Sequence, residues 1–260
     1  MTDRRRLRED SRGTTINQKL KRTVSPTRLF LLAGRPKAMP KGNRADPLLQ
    51  QVIESCGKVY PRIGYLGSAS RDDRDFFKMI SVWLKNAGAG DVLLAPTVGA
   101  KVDMERTLEI LENADAVLVS GGDVEEGMRI LGERNLTPFL RARWNRGTVF
   151  VGLSAGSIML SRQWVRWRDP NDDLTVEVFA CMGLAPLLCD THGEAETWEE
   201  LRALLRLAPP GAIGYGIPTG AGLGVTPEGW PFAMGEPVQR FAMRDGLVAR
   251  ITDLELGGGG

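Results

Sequence analysis

Short apolar runs alternate with amphipathic segments over the first two thirds of the chain. The apolar runs at 28–33, 62–66, 91–95, 116–120 and 148–153 predict buried strands, and the segments between them predict helices at 48–56, 72–86, 103–113, 124–131 and 138–145. Strands that alternate with helices are joined by right-handed crossovers into a mostly parallel sheet with helices on both faces. The pattern therefore predicts an α/β fold, with ligands bound in the loops that follow the carboxyl ends of the strands.

The pattern loosens after residue 161. A polar segment at 166–173 precedes an apolar one at 177–188, and a helix is predicted at 197–207 because Thr197 and Glu200 have the spacing of a capping box. Glycine and proline turns then separate predicted strand pieces at 212–217, 223–225, 231–234 and 247–251.

Length and composition favour one globular domain over residues 28–254. The chain has 260 residues, of which 42% are hydrophobic and 25% charged. Residues 1–28 carry a net charge of +6 and the remainder −4, so residues 1–27 are expected to form a basic, disordered arm. We expect no nucleic-acid partner, and we expect residues 255–260 to be a flexible Gly-rich tail.

The sequence also limits location and metal chemistry. It has no apolar run near the ~20 residues that a membrane helix needs and no secretory leader, so we expect a cytoplasmic protein with no membrane partner. Three cysteines stand at spacings that match no zinc motif, and a single histidine excludes a His-rich metal site. We expect no cofactor and no metal, although a carboxylate-only Mg²⁺ or Ca²⁺ site stays open.

The pentapeptide Gly152-Leu153-Ser154-Ala155-Gly156 is the main candidate for chemistry. It lies between the strand pattern at 148–151 and a helical run at 157–160, which is the context of a nucleophile elbow. Such a turn exposes the Ser154 hydroxyl and aims the Ala155 amide at the same point, where it can stabilise an oxyanion. The alternative interpretation is a tight turn with small residues for packing.

With this elbow, the chain resembles the serine peptidases grouped with peptidase E and cyanophycinase. The resemblance covers about residues 29–241 and depends on the elbow, the turn Val119-Ser120-Gly121-Gly122-Asp123, His192, and the segment 216–220. It implies a class I glutamine amidotransferase-like, flavodoxin-like three-layer sandwich. It also implies that Gly122 supplies the second oxyanion amide, with Gly121 as its neighbour at the substrate. A plain turn that needs positive φ is the alternative for this glycine pair.

The resemblance also assigns the remaining catalytic roles. His192, the only histidine, follows Ser154 by 38 positions and would be the general base. Asp169, with Asp172 as second choice, matches the position of an orienting acid, and a solvated loop is the alternative for both. A carboxylate there predicts a His192 pKa at or above the ordinary ~6.5, whereas burial of the ring would act in the opposite direction. The family commonly has an acidic residue where this chain has Thr219.

The substrate is expected to be a small peptide, with aspartyl dipeptides and cyanophycin-like polymers as the family's examples. A carboxylate-binding arginine would fit both, and Arg166 and Arg168 are the candidates for substrate binding, with Arg71 as a further one. Solvated surface arginines are the alternative. A homodimer is left open.

Two other functions share parts of this pattern. An α/β-hydrolase esterase has the same pentapeptide but needs more parallel strands after the nucleophile, and its histidine usually lies later in the chain. A catalytically inactive binding or regulatory relative would retain the scaffold, and Thr219 favours that alternative. A glutamine amidotransferase proper is disfavoured because the elbow holds serine where that enzyme uses cysteine.

Overall fold

The structure is a computed structural model that describes residues 29–34 and 45–256. These residues contain the strands β1 Leu29–Leu32, β2 Ile63–Leu66, β3 Val92–Ala95, β4 Ala116–Val119, β5 Val149–Leu153, β6 Gln163–Trp167, β7 Val176–Ala180, β8 Leu188–Thr191, β9 Ile213–Ile217, β10 Gly222–Val225, β11 Pro231–Met234, β12 Val238–Arg244 and β13 Leu247–Leu254. The α-helices are α1 Pro47–Ser55, α2 Arg74–Asn86, α3 Met104–Glu112, α4 Val124–Glu133, α5 Thr137–Asn145, α6 Ala155–Leu160 and α7 Glu199–Leu207.

The first five predicted strands and five predicted helices are confirmed, with bounds that agree within two residues. The main sheet has the order β11-β10-β1-β5-β4-β2-β3. Its strands β1, β5, β4, β2 and β3 are parallel, whereas β10 and β11 extend one edge in antiparallel pairing. This is the predicted α/β fold with a mostly parallel sheet.

The sheet separates two hydrophobic cores because successive side chains of a strand point to opposite faces. On β1, Leu29 and Leu31 belong to the core that contains residues of α3 to α6, whereas Phe30 and Leu32 belong to the core that contains residues of α1 and α2. The strands of the parallel part are almost fully buried, as expected for a sheet covered on both faces. The result is a three-layer sandwich.

The loops at the carboxyl ends of the parallel strands are tied to one another. Asp72, after β2, accepts hydrogen bonds from the backbone amides of Thr97 (2.5 Å) and Val98 (2.8 Å), which follow β3. The Ser120 amide, after β4, donates to Leu66 O of β2 at 3.0 Å. These bonds fix the edge of the sheet where the predicted site lies.

Beyond the elbow, the predicted strand pieces at 212–217, 223–225, 231–234 and 247–251 correspond to β9, β10, β11 and β13, whereas β6, β7, β8 and β12 were not predicted. Strands β6 and β7 form an antiparallel hairpin, and β8, β9, β12 and β13 form a separate sheet in the order β13-β12-β9-β8. Within the described residues, β8 and β9 are the parallel pair that follows Ser154. The main sheet gains only antiparallel strands there, which disfavours the α/β-hydrolase alternative.

The predicted start of α7 is wrong. Thr197 and Trp198 both have positive φ, 53° and 63°, and the helix begins at Glu199 without a side-chain cap. The Trp198 amide instead donates to Gly193 O at 2.7 Å, and the Trp198 indole packs in a core with Phe241 and Leu201. Burial of this large ring sets the local backbone, so the capping box does not form.

The predicted arm at 1–27 and residues 257–260 of the predicted tail lie outside the described residues. Leu256, inside the predicted tail, forms a β-bridge with Ala233. No helix in residues 29–34 and 45–256 is long and apolar enough to cross a membrane.

Candidate active site

Ser154 occupies a strained turn between β5 and α6. Its φ of 53° and ψ of −122° lie in a region that residues with a side chain rarely adopt. Its amide donates to Leu32 O of β1 at 2.8 Å, and its carbonyl accepts from the Ser157 amide at 2.8 Å. The turn is therefore held on both sides, and the half-buried serine lies at the carboxyl edge of the central strand.

The two glycines of the pentapeptide are required by close backbone approaches. A Cβ on Gly152 would lie 2.5 Å from Ser157 Cα, and a Cβ on Gly156 would lie 2.0 Å from Val119 O. Both distances are impossible for real atoms, so larger residues would displace the turn. The tight turn of a nucleophile elbow therefore requires glycine at both ends of the Gly-x-Ser-x-Gly pattern.

Gly121 and Gly122 lie beside the nucleophile. A Cβ on Gly121 would lie 3.3 Å from Ser154 Cβ, and Gly122 has a φ of 139°, with Ala69 O occupying the place of a Cβ. Among the described residues, the amides of Gly122 and Ala155 donate to no acceptor. Gly122 thus meets the positive-φ requirement of a turn and also leaves a donor free near Ser154.

His192 follows β8 and faces the same end of β1. A Cβ on Gly34, two residues beyond Leu32, would lie 3.1 Å from His192 Cε1 and 3.4 Å from its Nε2. The imidazole edge that bears Nε2 therefore lies near the strand end to which Ser154 is bonded. No hydrogen bond joins the Ser154 hydroxyl to His192 within the described residues, and such catalytic bonds often tighten only when substrate binds.

The other ring nitrogen of His192 contacts Thr219. The His192 Nδ1 and Thr219 Oγ1 atoms are 3.1 Å apart, and the Thr219 amide donates to Glu194 Oε1 at 2.5 Å. The contact arises because β8 and β9 are parallel neighbours, so the residues just after each strand meet. The His192 amide also donates to Ile217 O at 3.3 Å, which fixes this end of the sheet.

The structure does not place Asp169 or Asp172 at the imidazole, so both sequence assignments are corrected. Both residues are exposed in the connection between β6 and β7. The Asp169 carboxylate accepts from the Asn171 amide at 2.9 Å, and the Asp172 carboxylate accepts from the Leu174 amide at 2.9 Å. They stabilise their own turn, which is the solvated-loop alternative.

The expected His192 pKa is also corrected. Burial lowers the pKa of His192 below its usual 6.5, and the negative charge of Glu194 opposes this shift without cancelling it. The sequence argument assumed a directly paired carboxylate, whereas the imidazole contacts a neutral hydroxyl. His192 therefore stays neutral, and able to accept a proton, down to a lower pH than the sequence argument predicts.

Comparison with protein-family models shows the family to which this chain belongs. The model of Peptidase family S51 matches residues 29–229, which include the elbow, the glycine turn, His192 and Thr219. The chain belongs to peptidase family S51. The resemblance inferred from the elbow is therefore confirmed.

Individual relatives agree with this assignment. Peptidase E from Salmonella arizonae is 29% identical over 147 residues, which span 50% of this chain and 63% of that protein. A crystal structure of a peptidase from an acI-B1 Actinobacterium has a TM-score of 0.60 at 17% identity and covers 90% of this chain and 97% of its own. A putative Peptidase E protein from Listeria monocytogenes EGD-e has a TM-score of 0.55 at 12% identity, covering 81% and 98%. The two structures share the fold of this family S51 chain.

The candidate substrate arginines are already engaged in ion pairs. Arg166 pairs with Glu125 at 2.9 Å and Glu177 at 2.6 Å, and Arg168 pairs with Glu177 at 2.6 Å. Arg71 pairs with Glu126. Of these arginines, Arg166 lines a cleft of about 420 Å³ that also contains Gly122, Glu125, Trp164 and Trp167. A substrate carboxylate would have to compete with Glu125 and Glu177 for this guanidinium.

Sequence reasoning missed Glu194 and Asp190, which flank His192 in the chain. Their position two residues to either side of the only histidine was the available signal. Asp190 is 4% exposed, its Oδ1 accepts from the Thr191 amide at 2.6 Å, and its Oδ2 has no hydrogen-bond partner among the described atoms. No group of three or more His, Cys, Asp or Glu suited to a metal ion occurs in the described ranges.

We expect Asp190→Asn to stabilise the protein at alkaline pH. Burial raises the pKa of Asp190 from 3.8 to about 7, and the nearby Glu200, Glu194 and Glu196 add to the effect. The folded state thus binds this proton more tightly than the unfolded state, so ionisation destabilises the fold as pH rises through about 7. The substitution should raise the free energy of unfolding at pH 8 by about 4 kcal/mol at most.

Thermal and denaturant unfolding at several pH values measure this effect. The advantage of Asp190→Asn should be largest above pH 7 and should shrink steadily towards the ordinary Asp pKa of ~4. An advantage that does not change with pH would show that charge at Asp190 is not its cause.

Proposed function

We propose that this chain is a serine hydrolase that cleaves peptide or isopeptide bonds in small peptides through an acyl-enzyme on Ser154. The observation that carries the proposal is the strained elbow, which places Ser154 at the end of the central strand. Beside it lie the amides of Gly122 and Ala155, which donate to no acceptor in the described part of the chain. Strain of this kind costs on the order of 1–3 kcal/mol and persists mainly where function requires it. Membership of family S51 supports the same chemistry.

The proposed reaction begins when substrate brings its carbonyl carbon to Ser154 Oγ. His192 Nε2 takes the hydroxyl proton as Oγ forms the new bond, and the amides of Gly122 and Ala155 donate to the oxyanion. His192 then returns the proton to the leaving amine as the scissile C–N bond breaks. Water, deprotonated by the same imidazole, releases the acyl group and regenerates Ser154.

The cleft beside Gly122 is the proposed binding region for the peptide. Trp164 and Trp167 supply apolar surface, while Asp123 and Glu125 supply negative charge and Arg166 supplies positive charge. A small peptide with both a charged amine and a carboxylate would complement this lining. Aspartyl dipeptides and β-aspartyl-arginine units have these groups, and the relative named Peptidase E agrees with a peptide substrate.

A peptide panel tests this function. Purified protein is incubated with α-aspartyl, β-aspartyl and neutral dipeptides and tripeptides, and released amine is measured, with Ser154→Ala as the matched blank. We expect turnover of at least one aspartyl or isoaspartyl peptide that the Ser154→Ala protein does not show. Hydrolysis of simple esters alone would favour an esterase, and no hydrolysis would favour an inactive relative.

A further inference from the structure

We propose that Glu194, acting through the Thr219 hydroxyl, fixes the tautomer of His192 so that Nε2 is left without hydrogen and can accept the Ser154 proton. This inference rests on the proposed function for its catalytic meaning. Thr219 and Glu194 are positioning residues in it. Together they replace an acid that contacts the imidazole directly.

The first step concerns the charge state of Glu194. Partial burial raises the pKa of this carboxyl, but hydrogen bonds from the backbone and side chain of Thr219, with the charge of His192, outweigh it and hold the pKa below its usual value. Glu194 is therefore ionised at neutral pH. The Thr219 amide donates to Glu194 Oε1 at 2.5 Å, and because an ionised carboxylate only accepts hydrogen bonds, the Thr219 hydroxyl beside it can donate to Glu194 but cannot accept from it.

The second step concerns the single hydrogen of the Thr219 hydroxyl. A hydroxyl has one hydrogen to donate and lone pairs that accept. When that hydrogen is donated to Glu194, Oγ1 can act towards His192 Nδ1, 3.1 Å away, only as an acceptor. Nδ1 must then carry the hydrogen of the neutral ring, and Nε2 carries a lone pair.

The third step concerns where that lone pair lies. The ring edge with Nε2 faces Gly34 and the end of β1, to which Ser154 is hydrogen-bonded through Leu32 O. The bare nitrogen therefore lies on the side of the nucleophile. If Thr219 donated to Nδ1 instead, the hydrogen would be on Nε2 and the ring could not act as a base towards Ser154.

The contacts with Thr219 and Glu194 also stabilise the protonated form of the His192 ring. When Nε2 takes the Ser154 proton, Nδ1–H remains bonded to Thr219 Oγ1 and the imidazolium lies near the Glu194 charge, which raises the His192 pKa. The other acidic groups on this segment are the buried Asp190, the exposed Glu196 and Glu199, and the half-buried Glu200, and the charges of Glu196 and Glu200 act on Asp190. Glu194 is thus the carboxylate linked to the imidazole through Thr219.

The tautomer can be measured directly because the chain contains one histidine. The full-length protein is labelled with ¹⁵N-histidine, and the two ring nitrogens are followed by NMR as pH is varied. We expect neutral His192 of the wild type to carry hydrogen on Nδ1. Glu194→Gln and Thr219→Val should give a mixed or reversed tautomer and a lower His192 pKa, whereas Thr219→Ser should retain the wild-type state.

Glu196→Gln is the matched control. It removes a carboxylate from the same segment, two residues away and exposed to solvent, and should leave the tautomer and pKa of His192 unchanged. Unfolding curves of every variant show whether a spectral change comes from loss of folding, and Thr219→Ser keeps the test decisive if Thr219→Val is unstable.

Kinetics add a second readout. For a substrate found in the peptide panel, Glu194→Gln should lower kcat about 10²-fold with little change in KM, and the acid limb of kcat/KM should move to lower pH. A wild-type ring with hydrogen on Nε2, or a tautomer insensitive to Glu194→Gln, would overturn the inference. Since the NMR measurement needs no substrate, it decides the inference even if the chain hydrolyses nothing, which would refute only the proposed function.

Discussion

Ser154→Ala should lower kcat by about 10⁶-fold and leave the protein folded, because removal of the nucleophile ends covalent catalysis while the oxyanion amides remain. The Ser154 hydroxyl makes no hydrogen bond within the described residues, so its removal breaks none there. The measurement is single-substrate kinetics beside thermal unfolding. Activity close to the wild type in a folded Ser154→Ala protein would exclude Ser154 as nucleophile.

His192→Gln should lower kcat/KM by roughly 10⁴–10⁶-fold and abolish the acid limb of the pH profile. In the wild type, the neutral imidazole is the active base, so kcat/KM should rise with pH through the His192 pKa. Burial lowers that pKa, and Glu194 opposes the shift only in part, so the limb should lie below the ordinary ~6.5. Activity should therefore persist at mildly acidic pH.

A control is needed because Asp190 also titrates near neutrality, with a pKa of about 7. The acid limb should remain in Asp190→Asn and disappear in His192→Gln. A wild-type limb at or above ~6.5 that disappears in Asp190→Asn would assign it to Asp190 and would contradict the account of His192.

The central sheet and the elbow could be predicted from sequence because both depend on local pattern. Fully buried parallel strands are continuous apolar runs, and the elbow glycines are dictated by backbone approaches within the turn and to β4. The position of the Gly121–Gly122 turn beside Ser154 could also be predicted, because β4 and β5 are adjacent parallel strands and end at the same edge of the sheet.

The contact between His192 and Thr219 could not be predicted, because it depends on the pairing of β9 with β8, and β8 had not been predicted as a strand. The strand β8 has only four residues, and its parallel pairing with β9 brings together Thr219 and His192, which are 27 positions apart. Asp169 was assigned by its distance from Ser154 along the chain, but the unpredicted hairpin of β6 and β7 carries it to an exposed turn. Sequence spacing says nothing about such a displacement.

The pKa of His192 was missed for a related reason. Burial of the imidazole follows from how β8, β9 and the end of β1 meet, whereas a neighbouring charge can be proposed from the sequence alone. The sequence argument gave the charge of a neighbouring carboxylate more weight than burial, whereas burial is the larger effect here.

The most direct test of the central claim is covalent labelling of Ser154. A fluorophosphonate reacts with serines that a base and an oxyanion site activate, and peptide mass spectrometry locates the adduct. We predict one phosphonylated residue, Ser154, with labelling lost in Ser154→Ala and strongly slowed in His192→Gln. An unlabelled wild-type protein, or an adduct on another residue with Ser154 unmodified, would contradict the assignment of Ser154 as an activated nucleophile.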